Sequence, residues 1–271
     1  MDAVAFYGLE ATHDPNHWRL PVVPTLCSGL GALFGGCGLG ACVEAMEQAT
    51  GRPLVWATGQ YLSYARPPSV LDIRVDEVVR GHQISQVRAV AHVGGDEILT
   101  VNAALGTRDT SHRGEWAEMP VVPPPAECRP REIMERHEGS IMDRVDMRLA
   151  DARTFDELDG TPGTGRCALW VRLPGLLEMS AAALSIIGDY VPFGISQALG
   201  ARAGGNSLDN TLRVAGRSQT EWILADIRVS AIQNGFGHGL VHLWAEDGTL
   251  LGTASQSTIV RNWRDDPGEK P

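Results

Sequence analysis

The stretch that decides the fold opens with Ala41-Cys42-Val43-Glu44-Ala45-Met46-Glu47-Gln48-Ala49 and continues into a series of strands. These nine residues are mostly good helix formers, and Gly51-Arg52-Pro53 ends the helix that they predict. Four segments with strand-like composition follow, at residues 54–65, 70–79, 85–93 and 97–105, and Gly94-Gly95-Asp96 forms a tight turn between the last two. A helix followed by consecutive strands predicts an antiparallel sheet packed on that helix.

The same order of elements recurs in the second half of the chain. Residues 179–189 have a helical composition, and Pro192 is expected to end that helix. Strands are predicted at residues 207–214, 221–231, 238–245 and 249–260. Trp18-Arg19-Leu20-Pro21 is similar to Trp170-Val171-Arg172-Leu173-Pro174, about 152 residues further on. A tandem duplication explains this repeat.

The region between the two halves contains a proline-rich linker, Val121-Val122-Pro123-Pro124-Pro125-Ala126. Consecutive prolines favour an extended, semi-rigid spacer. We therefore predict an N-terminal domain over residues 1–120, a linker over 121–132 and a C-terminal domain over 133–271. Residues 1–28 are expected to be irregular, 131–137 to form a short helix, and 142–149 and 167–173 to form strands.

Composition excludes several classes of function. The 271-residue chain has a formal net charge of −10 and a pI of about 5.2, so it lacks the basic surface of a general nucleic-acid binder. The five cysteines include no Cys-x-x-Cys pair, and no apolar stretch reaches the length of a membrane span. Without a recognisable signal peptide, these features predict a cytoplasmic protein with free thiols.

Short motifs along the chain resemble those of the acyl-CoA thioesterase II family. Phe34-Gly35-Gly36 at a helix start and Gln60-Tyr61-Leu62-Ser63-Tyr64-Ala65-Arg66-Pro67 on the next strand are similar to the first half of that family. Gly188-Asp189-Tyr190, Ser207-Leu208-Asp209-Asn210 and Thr253-Ala254-Ser255-Gln256 fall where the family has its functional segments. The resemblance covers roughly residues 18–263, and the order and spacing of the motifs carry it.

The resemblance implies an α+β double hotdog, in which each half is an antiparallel sheet wrapped around one helix. It also implies hydrolysis of acyl-CoA to a free acid and CoA, within lipid metabolism. By position, Asp189, Ser207 and Gln256 would hold the attacking water; the best-known members have Thr where this chain has Ser207. No metal or other cofactor is implied. The expected partners are the acyl-CoA substrate and further copies of the chain in a homo-oligomer.

Local physical chemistry is consistent with these roles. Asp189 falls in the last turn of the predicted helix, where the helix dipole disfavours a negative charge and raises the pKa of the carboxyl. Gln256 shares a strand face with small and apolar residues, which predicts that it points inward. Gly35, Gly36 and Cys37 at the first helix start are candidates for contacts to the substrate or its oxyanion, since their N–H groups lack helical partners.

Several alternatives remain open on the sequence. A non-catalytic acyl-CoA-binding protein could keep the same fold, and Asp209 could be the true carboxylate. A hotdog hydratase or dehydratase would need a His about five residues after Asp189, and none is present. Four weaker candidates are a dinucleotide loop at residues 36–41, a metal site at His238 and His242, a nucleophilic serine within Gly194-Ile195-Ser196-Gln197-Ala198, and a nucleophilic thiol at Cys37.

Overall fold

The computed structural model describes residues 1–174 and 179–262. The helices of these regions are α1 (Ala3–Tyr7), α2 (Gly35–Thr50), α3 (Ile141–Arg144), α4 (Ala181–Ile187) and α5 (Val191–Leu199). The strands of the first half are β1 (Glu10–Ala11), β2 (His17–Val22), β3 (Leu54–Tyr61), β4 (Ser69–Arg80), β5 (Ile84–Val93) and β6 (Asp96–Gly106). Those of the second half are β7 (Arg129–Pro130), β8 (Asp146–Asp151), β9 (Arg166–Arg172), β10 (Ala203–Ser207), β11 (Asp209–Val214), β12 (Ile223–Gln233), β13 (Phe236–Ala245) and β14 (Leu250–Asn262).

All of these strands belong to one antiparallel sheet. Its order is β1-β2-β4-β5-β6-β3-β11-β14-β13-β12-β9-β8-β7, with β10 also paired to β14. The two halves join where β3 pairs with β11, and the Thr58 and Thr211 hydroxyls lie 2.9 Å apart across this joint. Helix α2 packs on strands of the first half and α5 on strands of the second. This is the double hotdog that the resemblance implies, with a continuous sheet.

The duplication is visible in the positions of the elements. Moving β5 (Ile84–Val93) forward by 152 residues gives the bounds of β13 (Phe236–Ala245). The same shift superimposes β4 on β12 within one or two residues. The helices differ: the same shift places α2 at residues 187–202, so α5 is its counterpart and begins about four residues later, and α4 lies just ahead of that counterpart. The helix α4 and the later start of α5 mark the place where the two halves have diverged.

Glycines in α2 allow the helices of the two halves to pack backbone to backbone. A Cβ on Gly36 would stand 2.7 Å from the Ser185 carbonyl oxygen and 2.8 Å from the Ile186 Cα. A Cβ on Gly40 would stand 2.9 Å from the Ala182 carbonyl oxygen. Since later residues of α2 meet earlier residues of α4, the helices run antiparallel. The end of α4 is therefore brought to the start of α2.

The structure corrects the predicted bounds of both helices. The first helix begins at Gly35, six residues before its clear helix formers. Close packing at Gly36 and Gly40 stabilises this part of the helix by more than the low helix propensity of glycine destabilises it. The second ends at Ile187, and Pro192 does not stop it. Pro192 instead lies in the first turn of α5, where a proline costs no helical hydrogen bond.

Three further local predictions were wrong. Residues 1–28 are not irregular, because they contain α1 and β2. In β2 the buried residues Leu20 and Val22 alternate with more exposed ones, but the proline between them makes this strand pattern hard to recognise. Residues 131–137 form only a 3₁₀ turn, Glu135–His137. The strand expected from residue 142 begins at Asp146, because Ser140 caps a short helix before it. Residues 263–271 of the predicted second domain lie outside the described residues.

The close helix contact predicts opposite effects for two alanine substitutions in α2. Gly36→Ala should lower the free energy of unfolding by about 1–2 kcal/mol, because its methyl group meets backbone that cannot move independently. Gly38→Ala is the matched control: its Cβ would meet only Leu33 and Leu99 methyl groups at 3.4 Å, so higher helix propensity should leave stability equal or greater. Urea denaturation measures both. Equal stability of the two variants would contradict the packing argument.

Candidate active site

Asp189 lies in the break between α4 and α5, with its carboxylate directed at the start of α2. The side chain is only 5% exposed, and its Oδ2 accepts a hydrogen bond of 2.5 Å from the Gly36 backbone N–H. Phe34, the residue that precedes α2, makes no side-chain capping bond. Asp189 therefore caps a helix of the first half from its own position in the second half. It is not in the last turn of a helix, as the sequence suggested.

Gln256 and Ser207 meet the other carboxylate oxygen. The Gln256 amide donates to Asp189 Oδ1 and, at 3.0 Å, to Ser207 Oγ. Ser207 Oγ lies 3.5 Å from Asp189 Oδ1. At its other end, Gln256 Oε1 accepts from the Val191 backbone N–H at 3.1 Å, which fixes the orientation of the amide. The structure thus brings the three predicted water-site residues into one hydrogen-bonded cluster.

The position of each partner has a local cause. Gln256 lies on the inward face of β14 and is 3% exposed. Over residues 252–258 of β14, every second residue is buried, which is the alternation that the sequence predicted. Ser207 ends β10, where Leu208 separates that strand from β11. Asp189 is held by the chain turn between Gly188 and the first residue of α5. Three separate elements therefore converge at one point.

Burial dominates the acidity of Asp189. Desolvation raises the pKa of this carboxyl from 3.8 to about 7, while hydrogen bonds from Gln256, Gly36 and Ser207 lower it. The physical cause expected from the sequence, the dipole of a helix C-terminus, does not apply, because the residue lies beyond the helix. A carboxyl with a pKa near 7 is suited to accept a proton at neutral pH.

The predicted contact residues of the first helix have different environments. Gly35 lies between Asp189 and Tyr61, and a Cβ there would stand 2.7 Å from Asp189 Oδ2. The Gly36 N–H is already engaged by that carboxylate. The Cys37 thiol is fully buried, and burial, followed by the nearby Asp189, raises its pKa well above the usual value. A nucleophilic thiolate at Cys37 is therefore disfavoured.

The other candidates lack the geometry of a site. Asp209 accepts from the Ser257 backbone N–H at 2.8 Å and does not join the Asp189 cluster. The buried Ser196 hydroxyl donates to the Phe193 carbonyl within α5, so no nucleophile elbow forms. The glycines at residues 36–40 lie inside α2 and not in a loop before a helix. Across residues 1–174 and 179–262, no group of three potential metal ligands includes His238 or His242.

A cavity of about 260 Å³ opens beside α3 and the start of β8. Its lining combines apolar and charged side chains, including Met142, Met147, Arg131 and Arg144. The Tyr190 hydroxyl reaches Met142 Sδ at 3.7 Å, and Asp189 is absent from the lining. This cavity is therefore separate from the Asp189 cluster.

Comparison with known families gives two matches that together cover most of the chain. The family model for the acyl-CoA thioesterase N-terminal domain matches residues 24–106, and that for the C-terminal domain matches residues 125–260. The chain belongs to the acyl-CoA thioesterase II family. It is accordingly a thioester hydrolase, and the family implies an acyl-CoA substrate. Comparison with curated protein sequences gives no match.

Solved structures share the fold over nearly their whole length. A candidate thioesterase from Novosphingobium aromaticivorans is 29% identical, with a TM-score of 0.82 over 93% of this chain and 98% of that one. An acyl-CoA thioesterase II from Mycobacterium marinum is 18% identical, with a TM-score of 0.74 and full coverage of both chains. A hot dog protein from Alicyclobacillus acidocaldarius is 18% identical, with a TM-score of 0.84 over 97% of this chain and 98% of that one.

In the described part of this thioesterase, no helix is long and apolar enough to cross a membrane.

The raised pKa of Asp189 predicts a pH-dependent stability. Between the unfolded pKa near 4 and the folded pKa of about 7, the folded state keeps a proton that the unfolded state releases. Its contribution to stability is therefore lost as pH rises, by about 2–3 kcal/mol between pH 5 and pH 8. Urea denaturation of the wild type and Asp189→Asn at both pH values measures the difference. Asp209→Asn is the control and should follow the wild type. Parallel curves for the wild type and Asp189→Asn would contradict the assignment.

Proposed function

We propose that this thioesterase hydrolyses acyl-CoA with a water molecule activated by Asp189 and held by Gln256 and Ser207. The observation that carries the proposal is the convergence of these three side chains at the start of α2. A carboxylate, an amide and a hydroxyl together supply a proton acceptor and partners that orient a small nucleophile. Because the cluster is buried, these interactions act in a low-dielectric environment.

The hydrogen bonds of Asp189 leave room for one more partner. Among the described residues, its Oδ1 accepts from Gln256 and Ser207, whereas its Oδ2 accepts only from Gly36. Each carboxylate oxygen has two acceptor positions, so Oδ2 retains one for the water. In the reaction, Asp189 takes a proton as the water oxygen bonds to the thioester carbon. The tetrahedral intermediate then collapses, the C–S bond breaks with its electron pair on sulfur, and Asp189 returns its proton to the departing CoA thiolate.

The start of α2 supports the charge that develops on the substrate. Helix N-termini favour negative charge through the helix dipole and their unpaired N–H groups. Gly35 and Gly36 carry no side chains, which lets Asp189 and Tyr61 approach the backbone at the start of α2 closely. Cys37 would contribute through its backbone position and not through its buried thiol. Each half of the chain therefore supplies part of the proposed site.

Replacing the proposed base should abolish most of the activity. We expect Asp189→Asn to lower kcat for acyl-CoA hydrolysis by about 10²–10⁴-fold, which is the usual contribution of a general base. Asp209→Asn is a matched control at the start of β11, and its kcat should stay within about threefold of the wild-type value. Release of free thiol from a panel of acyl-CoAs measures the rate. Equal rates for the two variants would remove Asp189 from the mechanism.

Ser207 can be examined in the same assay. Ser207→Ala removes the hydroxyl that bonds Gln256 and should lower kcat by roughly fivefold, since one neutral hydrogen bond is worth about 1 kcal/mol. Ser207→Thr keeps the hydroxyl and should retain most of the activity. If no acyl-CoA in the panel releases thiol, even from the wild type, the non-catalytic acyl-CoA-binding alternative is favoured.

We further propose that the chain forms a homo-oligomer in the cytoplasm. The helices cover one face of the sheet, whereas Val55 and Val70 on the opposite face remain exposed, and a second copy would bury them. All five cysteines are buried and unpaired, which suits a reducing compartment. Light scattering on the purified protein should give a multiple of the 29.1 kDa chain mass. A monomer would contradict the proposal, and cell fractionation tests the location.

A further inference from the structure

Two polar side chains are enclosed beside the candidate site without hydrogen-bond partners. Asn210 on β11 is 1% exposed, and neither atom of its amide has a partner among the described residues. The buried hydroxyl of Tyr61 on β3 also lacks one there. An unpaired buried polar group costs about 1–3 kcal/mol. A water molecule or a substrate group can complete the bonding of such groups.

The sheet places these two groups side by side. Asn210 pairs in register with Gly59, two residues before Tyr61, and both side chains lie on the helix-facing side of the joint between β3 and β11. Asn210 acts on the Tyr61 phenol as a polar neighbour, although the two do not form a hydrogen bond of normal geometry. The amide is therefore positioned to influence where the phenol hydroxyl points.

Tyr61 is also adjacent to Asp189. Its Oη and Cζ each lie 3.0 Å from the point that a Cβ of Gly35 would occupy, and Asp189 Oδ2 lies 2.7 Å from the same point. The phenol and the carboxylate thus flank the first residue of α2. Burial, and then the Asp189 charge, raise the Tyr61 pKa well above its usual value. The phenol consequently keeps its proton at neutral pH and can donate a hydrogen bond.

Thioester hydrolysis by Asp189 needs such a donor. Attack of water moves the carbonyl π electrons onto the carbonyl oxygen, and this negative charge must be stabilised without passing a proton on. The Gly36 N–H already serves Asp189, whereas the Tyr61 hydroxyl has no hydrogen-bond partner of normal geometry among the described residues. We propose that the Tyr61 hydroxyl donates to the thioester carbonyl oxygen in the transition state, and that Asn210 is a positioning residue for Tyr61. This proposal rests on the proposed function of Asp189.

The proposal assigns no proton transfer to Tyr61. The water proton goes to Asp189, the new bond forms between the water oxygen and the carbonyl carbon, and the carbonyl oxygen carries the charge under the Tyr61 hydroxyl. When the C=O bond re-forms, the electron pair of the C–S bond leaves with the CoA sulfur. Tyr61 ends the cycle as it began, as a neutral phenol.

Tyr61→Phe tests the donor with a minimal change in shape. We expect kcat for acyl-CoA hydrolysis to fall by about 10²–10³-fold with KM changed less than threefold, because the lost bond forms mainly in the transition state. The melting temperature should be equal or higher, since an unpaired buried hydroxyl is removed. Tyr64→Phe is the matched control: Tyr64 is 57% exposed and its hydroxyl pairs with Asn206, so kcat should stay within about twofold.

The positioning role of Asn210 requires a double-mutant cycle. Asn210→Ala should lower kcat, and Tyr61→Phe/Asn210→Ala should be scarcely slower than Tyr61→Phe, because the amide acts only through the phenol. A purely structural role would give additive losses. The pH at which the rate rises should stay where Asp189 sets it in all three variants.

The outcomes separate this proposal from that for Asp189. An unchanged kcat in Tyr61→Phe, together with an inactive Asp189→Asn, would overturn the donor role alone. A raised KM with unchanged kcat would also overturn it, since it would show that Tyr61 contacts the ground-state acyl group. Full activity in Asp189→Asn would instead remove the base on which the proposal rests.

Discussion

The carboxylate of Asp189 at the N-terminus of α2 is the interaction on which the site depends. The start of α2 has no capping side chain of its own, and the Gly36 N–H would be left unpaired without Asp189. The same contact fastens the second half of the chain to the first. It is possible only because Gly36 and Gly40 let α4 approach the α2 backbone, so that the end of one helix meets the start of the other. Packing and site geometry therefore have one cause.

Two opposing effects set the chemistry of that carboxylate. Removal from water favours the neutral acid, and the three donors around it favour the anion. Burial alone would leave a protonated group unable to accept a proton, whereas full solvation would leave a weak base with a pKa near 4. A pKa of about 7 results from the balance. The Val191 N–H also affects this pKa, because it holds the Gln256 amide with its NH₂ group towards Asp189.

The sequence predicted the fold class and the three polar residues because both depend on order and spacing. The element order helix and then antiparallel strands survives errors of several residues, and the parity of β14 placed Gln256 inward. The break in the second helix was not predictable in this way. From the sequence alone, a proline after a helical segment is consistent both with the end of that helix and with the start of another. The packing of α5 on the sheet decides between these two possibilities.

Long-range packing also explains what sequence patterns could not reveal about the first helix. The glycines of residues 35–40 lower helix propensity, so a local argument places the helix start too late. Their value appears only when α4, about 150 residues away, is present. The sequence assigned no role to Tyr61 and Asn210, although both lie in the quoted motifs, for the same reason: each is an ordinary strand residue until β3 and β11 pair and enclose both.

The asymmetry of the two halves follows from where each helix begins. The position in α2 that corresponds to Asp189 by the 152-residue repeat is Cys37, a buried residue inside an unbroken helix. The counterpart of Gln256 is Ala104, which has no hydrogen-bonding side chain. Helix α2 offers its N-terminus, and the gap between α4 and α5 offers a carboxylate. The side chains of the cluster all belong to the second half, and the first half supplies the Gly36 N–H at the start of α2. In the described part of the chain, duplication followed by divergence therefore leaves one such cluster, at the contact between the two halves.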